Sequence, residues 1–372
     1  MTKVVLLASK NLSGINIPIV QELNKEWNIA SNIDPFYIPL HLKLKHAIQS
    51  FSPERSEWKI RYHELRSLHQ RRPKAFTLRT NSCKNQLKKL NEDYDLIFQL
   101  MSTFAPCESK LTKPYIIYLD RTQKMAEKYF PALFEKMSKQ EKRELHYLVR
   151  RTFEIADKIY TFSDATKMSV INDYEIPREK VVQVGFGVNL NPPPVINKTS
   201  NMKVVSVISD FKRHGGQVCI DTMEMVLKKN PSVKFLFIGQ VKEGFQKKFK
   251  RNVTILPYIS YQELLEHYEE SSVFFAPAAI GSAQSITEAM AYRCVCVANA
   301  ENPDASNVIS DQDNGFLIEG NSPTDYATKI LDILEQKYNN GLIGSNAYRN
   351  IKENYTWERV IGKIIAGTLP LL

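Results

Sequence analysis

Short, unbroken apolar runs alternate with helix-patterned segments through most of the 372 residues. Such runs predict parallel strands, because strands covered by helices on both faces need no alternation of polar and apolar residues. The predicted strands of the first half are Val4–Ala8, Leu96–Leu100, Tyr115–Leu119, Lys158–Phe162 and Val181–Val184. Those of the second half are Val204–Ile208, Lys234–Ile238, Val253–Leu256, Val273–Ala276, Val295–Ala298 and Phe316–Ile318. The pattern therefore predicts an α/β fold with two sheets.

The set of strands restarts near residue 203, directly after the proline-rich segment NLNPPPVINKTSN at 189–201. Successive prolines with polar neighbours make a stiff, extended connector. We therefore expect a first domain over 1–190, a linker over 191–202, a second domain over 203–352, and a terminal helix over 353–372 that crosses back to the first domain. Shortly before that helix, the periodicity predicts another helix over Asp325–Asn339.

The composition is that of an ordinary soluble protein, with 43% hydrophobic and 24% charged residues. No apolar stretch reaches the ~18 residues of a membrane span. The run Val4–Ala8 has no cleavage site after it, so it predicts a first strand and not a signal peptide. The five cysteines form no CxxC pair or metal-ligand cluster, and they predict buried, reduced thiols. We expect a cytoplasmic protein.

Basic residues are concentrated in one segment. Residues 41–90 hold 13 Lys and Arg against 3 Asp and Glu, a surplus that equals the net charge of +10 for the whole chain. One interpretation is solvated helix faces. Another is a surface for an anionic membrane, at about 1 kcal/mol per basic residue, or for an acidic acceptor, which would make the protein peripheral on a membrane. No nucleic-acid-binding motif accompanies the charge, so no nucleic acid is expected.

The segment FFAPAAIGSAQSITEAMAYRCVCVAN (274–299) contains the clearest candidate site. A strand ends at Pro277, a loop of small residues follows, and a helix is predicted to begin near Ser285 with Glu288 in its first turn. The free N–H groups at a helix N-terminus bind anions, and a carboxylate nearby can accept hydrogen bonds from a diol such as ribose. Alternatively, Glu288 only complements the dipole of its own helix.

This segment, with Glu288-Ala289-Met290-Ala291 intact, resembles the signature of family 4 glycosyltransferases with the GT-B fold. Five further segments resemble motifs of that family in the same order, and the likeness extends from about 155 to 365. They are TFSDATKMSVINDYEIPREKVVQVGFGVNL (161–190), SDFKRHGG (209–216), VKFLFIGQ (233–240), NVISDQDNGFLIEG (307–320) and NYTWERV (354–360). The resemblance implies two Rossmann-like domains that face a central cleft, with the nucleotide-sugar donor bound mainly by the second.

The resemblance also implies roles for single residues. Arg213 and His214 hold the donor pyrophosphate, and Glu288 holds the ribose. Backbone amides from Gly281 to Thr287, including those of Ser282 and Ser285, surround the phosphates and the sugar, while Tyr258 borders the base. In the first domain, the loop after the first strand reaches a phosphate through Ser13 and Gly14. The family transfers sugar with retention of configuration and uses no bound metal, so the resemblance implies no metal site and no cofactor beyond the donor, such as a UDP- or GDP-sugar.

Among the departures from the family pattern, two concern the binding of the donor. Ile280 stands where relatives carry a glutamate that contacts the sugar, which leaves the handling of the donor sugar open. His214 replaces a lysine, so phosphate binding is expected to be weaker or to depend on pH near neutrality.

The strand YIIYLDRT (115–122) ends at Asp120, a candidate for a catalytic or acceptor-side group. Asp120 could instead cap the helix that follows it. Arg121 could assist either role. Ser163, at the end of the next strand, is either a cleft residue or the N-cap of the helix 164–173.

Three functions remain open on the sequence alone. The favoured one is a retaining, metal-independent glycosyltransferase that moves a sugar from a nucleotide-diphosphate donor to a glycan, lipid-linked or protein acceptor. The second is a non-catalytic GT-B scaffold that binds nucleotide or glycan, or supports a partner enzyme. The third is an epimerase of the same fold. An NAD-dependent oxidoreductase is disfavoured because no G-x-G-x-x-G follows a strand.

Overall fold

The computed structural model describes residues 1–9, 16–36, 40–90, 93–188, 202–239, 251–281 and 283–372. The chain forms two compact units, Met1–Gly185 with Val360–Leu372, and Phe186–Arg359. Apart from Met202, the predicted linker at 191–202 lies outside the described residues.

The first unit is built on a parallel six-stranded sheet in the order β2-β1-β3-β4-β5-β6. Its strands are β1 Thr2–Leu7, β2 Trp27–Ile33, β3 Leu96–Leu100, β4 Tyr115–Leu119, β5 Lys158–Thr161 and β6 Val181–Gln183. Its helices are α1 Asn16–Glu26, α2 Leu40–Gln49, α3 Arg55–Gln70, α4 Pro73–Leu87, α5 Gln123–Tyr129, α6 Lys139–Ile155 and α7 Asp164–Tyr174. Every residue of β3 and β4 is buried, as expected of central strands covered on both faces.

The second unit contains another parallel six-stranded sheet, in the order β12-β11-β10-β7-β8-β9. Its strands are β7 Lys203–Ile208, β8 Lys234–Gly239, β9 Val253–Leu256, β10 Val273–Ala276, β11 Val295–Asn299 and β12 Phe316–Ile318. The helices that follow β7 are α8 Gly216–Lys229, α9 Tyr261–Glu270, α10 Ala283–Ala291, α11 Pro303–Ser306, α12 Pro323–Leu334, α13 Asn340–Asn354 and α14 Trp357–Thr368. Helices α8 and α12 pack apolar faces against this sheet, including the fully buried Met223 and Ile330.

All eleven predicted strands are present, with ends that differ by no more than two residues. The strand β2 was not predicted, and the helix expected over Asp325–Asn339 ends at Leu334. Asn339, where a helix end was expected, instead caps the start of α13 by accepting a hydrogen bond from the Leu342 amide at 3.1 Å.

The last helix, α14, begins in the second unit, and its residues from Val360 onward belong to the first. Thr368 Oγ1 lies 2.9 Å from Tyr160 Oη, a hydroxyl on β5. Ile364 is fully buried. The first unit is therefore assembled from two distant parts of the chain.

Within the described ranges, no helix is both long and apolar enough to cross a bilayer. The five cysteines are all free thiols. Four of them are buried as predicted, while Cys107 is only partly covered.

Candidate functional site

The carboxyl ends of β7 and β10 meet where the strand order of the second sheet reverses. These two strands are parallel neighbours, and the chain continues from β7 to β8 on one side and from β10 to β11 on the other. Ligands of open parallel sheets bind outside the carboxyl ends of the strands at such a switch point. The segments that leave these two strand ends, 209–215 and 277–282, are therefore the expected ligand-binding segments of this unit.

The first segment forms a tight turn that exposes Arg213. The His214 amide donates to the Asp210 carbonyl at 3.0 Å, and the Arg213 amide donates to Asp210 Oδ1 at 2.9 Å. The Arg213 side chain is exposed, and its Nη2 lies 3.4 Å from Ser209 Oγ. A guanidinium held in this position can pair with a phosphate through two parallel hydrogen bonds.

His214 is a neutral imidazole with a defined tautomer. The Ser209 amide donates to its Nδ1 at 3.1 Å, so Nδ1 carries the lone pair and the ring proton lies on Nε2. Burial, assisted by the neighbouring Arg213 charge, lowers the pKa of His214 to about 4. The predicted pH dependence near neutrality is therefore wrong for this residue, because the ring is already uncharged there. Its Nε2–H can donate to a phosphate without adding positive charge.

The second segment is fixed by two side chains from the region before and within α11. Asn302 Nδ2 donates to the carbonyls of Ala278 and Gly281, at 2.9 Å each. The Gly281 amide donates to Asp304 Oδ2 at 3.2 Å, and Gly281 has a φ of +83°. Because the Gly281 amide already has an acceptor in the chain, it would have to leave Asp304 to bind a donor phosphate. Ile280, at the position of the missing glutamate, is buried.

Helix α10 begins at Ala283, two residues earlier than predicted, so Glu288 lies in its second turn and not in its first. The N–H groups of the first three residues of a helix have no acceptor within it, which leaves the amides of residues 283–285, that of Ser285 among them, to face an anion. Thr287 lies beyond them, and its hydroxyl donates back to the carbonyls of Ala283 and Gln284, at 2.9 Å each. The proton of the Thr287 hydroxyl is therefore used within the helix, and the predicted contact of Thr287 with the donor stays a prediction.

Glu288 is buried, with 3% of its surface exposed, and two donors hold one oxygen of its carboxyl group. Tyr261 Oη and Gln284 Nε2 both donate to Oε1, at 3.0 Å each. Burial raises the pKa of Glu288 to about 7 and outweighs these two hydrogen bonds, which act in the opposite direction. Within the described part of the chain, both hydrogen bonds reach Oε1, which leaves Oε2 to accept from a ligand.

Two tyrosines on one short segment connect these parts of the site. Tyr258 Oη donates to the Ser209 carbonyl at 2.9 Å, while Tyr261, three residues later, donates to Glu288. The segments 209–215 and 277–282 pack against each other at Pro277. Its Cγ lies 3.3 Å from the position that a Cβ on Gly215 would take. The predicted residues Tyr258, Arg213, His214 and Glu288 therefore border one continuous stretch of the sheet edge.

Sequence reasoning missed Tyr261, Gln284, Asn302 and Asp304. Gln284 precedes Glu288 by four residues on a helix, a spacing that brings side chains together and could have indicated it. The other three belong to different elements, so their contacts depend on the tertiary fold.

Of the remaining predicted residues, Ser13, Gly14 and Ser282 lie outside the described residues. Asp120 belongs to the first unit, where its Oδ2 forms an ion pair with Arg121 Nη2 at 2.7 Å. Asp120 does not cap the next helix, since the N-cap of α5 is Thr122, whose side chain accepts from the Met125 amide.

Ser163, at the end of β5, is the N-cap of α7. Its side chain accepts from the Thr166 amide at 3.2 Å, and only 2% of Ser163 is exposed. Of the two roles predicted for Ser163, that of the N-cap of the following helix is therefore confirmed. Among the described residues, no group of three His, Cys, Asp or Glu side chains is placed to hold a metal ion.

Residues 202–336 match the family model described as glycosyl transferases group 1. The matched range extends from β7 through α12 and includes both segments at the switch point.

Two curated proteins are similar in sequence. The chain is 28% identical over 228 residues to a poly(ribitol-phosphate) alpha-N-acetylglucosaminyltransferase of Staphylococcus aureus (strain COL), an alignment that covers 58% of this chain and 44% of that protein. It is 25% identical over 213 residues to an uncharacterized glycosyltransferase of Haemophilus influenzae, covering 55% of this chain and 59% of that protein. The chain thus spans about half the length of these relatives.

Solved structures with the same fold include sucrose-phosphate synthase from Thermosynechococcus elongatus, with a TM-score of 0.68, 13% identity and full coverage of both chains. HepE of Anabaena in complex with UDP gives a TM-score of 0.65 at 16% identity, also with full coverage. A mutant form of S. aureus TarM, in complex with fondaparinux, alpha-GlcNAc-glycerol and UDP, gives 0.59 at 19% identity, covering 78% of this chain and 58% of TarM. These likenesses, with the two parallel six-stranded sheets, confirm the predicted α/β GT-B fold.

Proposed function

We propose that the chain is a glycosyltransferase that takes a sugar from a nucleotide-diphosphate donor held by its second unit. The observation that carries this proposal is the buried carboxyl of Glu288, with Oε1 fixed by two donors and Oε2 left to accept from a ligand. Ribose hydroxyls supply the hydrogen-bond donors that such a carboxyl needs. The match of residues 202–336 to group 1 glycosyl transferases supports the same assignment.

The charges along the sheet edge suit a diphosphate leaving group. In this proposal, the Arg213 guanidinium and the amides of residues 283–285 stabilise the negative charge that develops as the bond to the sugar breaks. His214 donates one hydrogen bond through Nε2–H, and Tyr258 borders the base. The proposal thus assigns neutralisation of the negative charge on the diphosphate to protein groups and not to a metal ion. We further propose retention of configuration, in which the acceptor hydroxyl attacks on the face that the diphosphate leaves, on the strength of the sequence resemblance to retaining enzymes.

UDP is the nucleotide that we favour, because structures with this fold are known in complex with UDP, among them those of HepE and TarM. The S. aureus relative acts on poly(ribitol-phosphate). For this chain, a glycan, a lipid-linked sugar or a protein remains as the acceptor. Asp120 stays a candidate for an acceptor-side group, and Gly14 for a phosphate contact.

We also propose that the protein is cytoplasmic and attaches peripherally to an anionic membrane through the segment 41–90. Four apolar residues at helical spacing lie exposed on α2 and just beyond it, with Leu44 55% and Ile48 75% exposed. The other two are Leu40 and Phe51. Exposed apolar residues beside basic ones are typical of helices that lie in the membrane interface.

Nucleotide release in the presence of UDP-sugars and candidate acceptors tests the enzymatic proposal. Arg213→Ala and Glu288→Ala should each lower turnover about 100-fold or more, because each removes a group aimed at the donor. Arg251→Ala and Glu266→Ala change exposed residues of the same unit and serve as matched controls with unchanged turnover.

Wild-type turnover in both donor-site variants would overturn the proposal. Tight UDP binding without turnover across a panel of donors would instead favour the non-catalytic scaffold. Conversion of the donor sugar in the absence of any acceptor would indicate an epimerase.

A further inference from the structure

The first unit contains a cavity of about 170 Å³ between three helices of the basic segment. A dry cavity of about 150 Å³ holds a molecule the size of benzene, so this space is large enough for a small organic group. Its lining comes from the segment after β2 and from α2, α3, α4 and the turn between the last two. The lining includes Phe36, Leu42, Lys45, His46, Lys74 and Arg79.

The cavity lining contains four cationic side chains and no carboxylate. Arg72 is neutralised by Glu141, whose Oε1 lies 3.0 Å from Arg72 Nη1. Lys45, Lys74 and Arg79 form no salt bridge with any residue that the structure describes. Three of the four cations therefore have no paired carboxylate among the described residues.

Arg79 is the most constrained of these cations, with 7% of its surface exposed. Its Nε donates to the Thr103 carbonyl at 3.1 Å and its Nη2 to the Gln70 carbonyl at 2.9 Å, while the guanidinium lies 5.0 Å from the centre of the Phe36 ring. These contacts use two of the five N–H donors of a guanidinium. Burial lowers the pKa of Arg79 to about 10. A buried charge is costly unless an opposite charge accompanies it, so this site favours an anion.

Two stacked histidines add a second polar group to the cavity. His69 Nδ1 lies 2.6 Å from His46 Nε2, and the ring centres are 4.5 Å apart. His46 is 6% exposed, and its Nδ1 has no hydrogen-bond partner among the described residues. The 2.6 Å contact requires one ring to donate and the other to accept, so the two histidines form one polar pair at the wall of the cavity.

The cavity also lies beside the ligand-binding edge of the first sheet. Phe36 follows β2 and Thr103 follows β3, so both mark carboxyl ends of parallel strands. β3 is next to β1 at the point where the strand order of this sheet reverses. This is the edge at which open α/β sheets bind ligands.

We propose that this cavity binds a phosphate ester. The phosphate pairs with Arg79, Lys45 and Lys74, while the organic part of the ester packs on Phe36 and Leu42. The shared chemistry is a phosphate with a small apolar or polyol substituent, either as a free ester or as the headgroup of a lipid. This assignment does not depend on the donor site, which lies in the second unit.

Isothermal titration calorimetry without any nucleotide sugar tests the proposal. The probes are glycerol 1-phosphate, dihexanoyl phosphatidylglycerol below its micelle concentration, inorganic phosphate, and glycerol as the uncharged control. The variant Lys45→Ala with Lys74→Ala should weaken binding of the esters about tenfold or more. Lys43→Ala with Lys59→Ala removes the same charge from exposed positions on α2 and α3 outside the cavity, and it should leave their affinity unchanged.

Binding of glycerol 1-phosphate supports a free ester as the ligand, and binding of the short-chain lipid alone supports a headgroup. In both cases, the side-chain NMR signals of His46 and His69 should shift on binding. Three results would overturn the proposal: no ester binds, both double variants lose affinity equally, or inorganic phosphate binds as tightly as the esters. The Glu288→Ala variant should bind the esters normally, so a failure of the donor-site proposal remains distinguishable.

Discussion

Burial sets the charge of the ionisable side chains at the switch point of the second sheet. His214 is uncharged at neutral pH because burial lowers its pKa to about 4. Glu288 is close to half-protonated at pH 7, because burial raises its pKa to about 7. Arg213, which is exposed, stays charged throughout. The site therefore offers one permanent positive charge and one carboxyl group whose ionisation a ligand can change.

The raised pKa of Glu288 predicts how stability depends on pH. Between the ordinary value of 4.5 and about 7, the folded protein holds a proton on Glu288 that the unfolded chain releases. The free energy of unfolding should thus fall as pH rises, by on the order of 3 kcal/mol relative to Glu288→Gln, which cannot ionise. Urea unfolding at pH 5 and pH 8 measures the difference.

Glu263→Gln provides the matched control for that experiment. The pKa of Glu263 is lowered by its hydrogen bonds to Ser260, so it is ionised at both pH values in either state. Its difference from wild type should not change between pH 5 and pH 8. A constant difference for Glu288→Gln as well would show that Glu288 has no raised pKa.

At the scale of residues, the motifs were enough to select Arg213, His214, Tyr258 and Glu288, all of which border the same sheet edge. They did not reveal which groups already have partners inside the protein. The Gly281 amide donates to Asp304, and the Thr287 hydroxyl donates within its own helix. Such pairings depend on where distant segments pack, and a local pattern carries no information about them.

At the scale of elements, the apolar runs predicted the strands well because eight of the twelve strands, all but β2, β6, β9 and β12, hold mostly buried side chains. β2 was missed because its sequence, WNIASNI, contains two asparagines and a serine, and only its first and last residues are buried. It lies at the edge of its sheet, where one side of the strand has no neighbour. The end of α12 at Leu334 and the start of α13 at Asn340 were missed because Asn339 can either end or begin a helix.

Helix α2 gives a prediction for the proposed membrane attachment. Leu44→Ser with Ile48→Ser should lower binding to anionic vesicles about tenfold or more, since each change removes an exposed apolar side chain from the surface that would enter the interface. Co-sedimentation with phosphatidylglycerol and phosphatidylcholine vesicles measures the effect, and wild type should favour the anionic ones.

Leu342→Ser with Leu369→Ser is the matched control, because these leucines are similarly exposed, at 54% and 58%, on other helical turns. This control should bind vesicles as wild type does. Equal binding by all three proteins would argue against attachment through α2.

At the scale of the whole molecule, the restart of the strand pattern near residue 203 predicted two sheets, and both are present. The first compact unit is not one continuous stretch of sequence, because Val360–Leu372 belongs to it together with Met1–Gly185. The apolar periodicity of this segment predicts a buried helix. It does not predict whether the helix packs in the core of the first unit or in that of the second.

The composite first unit predicts an unequal response to two similar substitutions. Ile364→Ala should destabilise the first unit by about 2–5 kcal/mol, because a fully buried isoleucine is removed from its core. Hydrogen exchange followed by mass spectrometry should then show faster exchange in β4, β5 and β6 and little change in β7 to β12. Ile351→Ala, in α13 of the second unit and equally well buried, should give the reverse pattern. Faster exchange in the second sheet alone for Ile364→Ala would contradict the assignment.

The order in which the ribosome makes this protein differs from the order in which its first unit can be completed. Residues 1–185 emerge first, yet Val360, Ile361 and Ile364, which fill part of the same unit, are joined to the chain about 175 residues later. At bacterial or eukaryotic elongation rates, this delay is roughly 10–35 s. During that interval the nascent first half exposes the apolar surface that α14 will cover, which makes it a natural client for a chaperone at the ribosome.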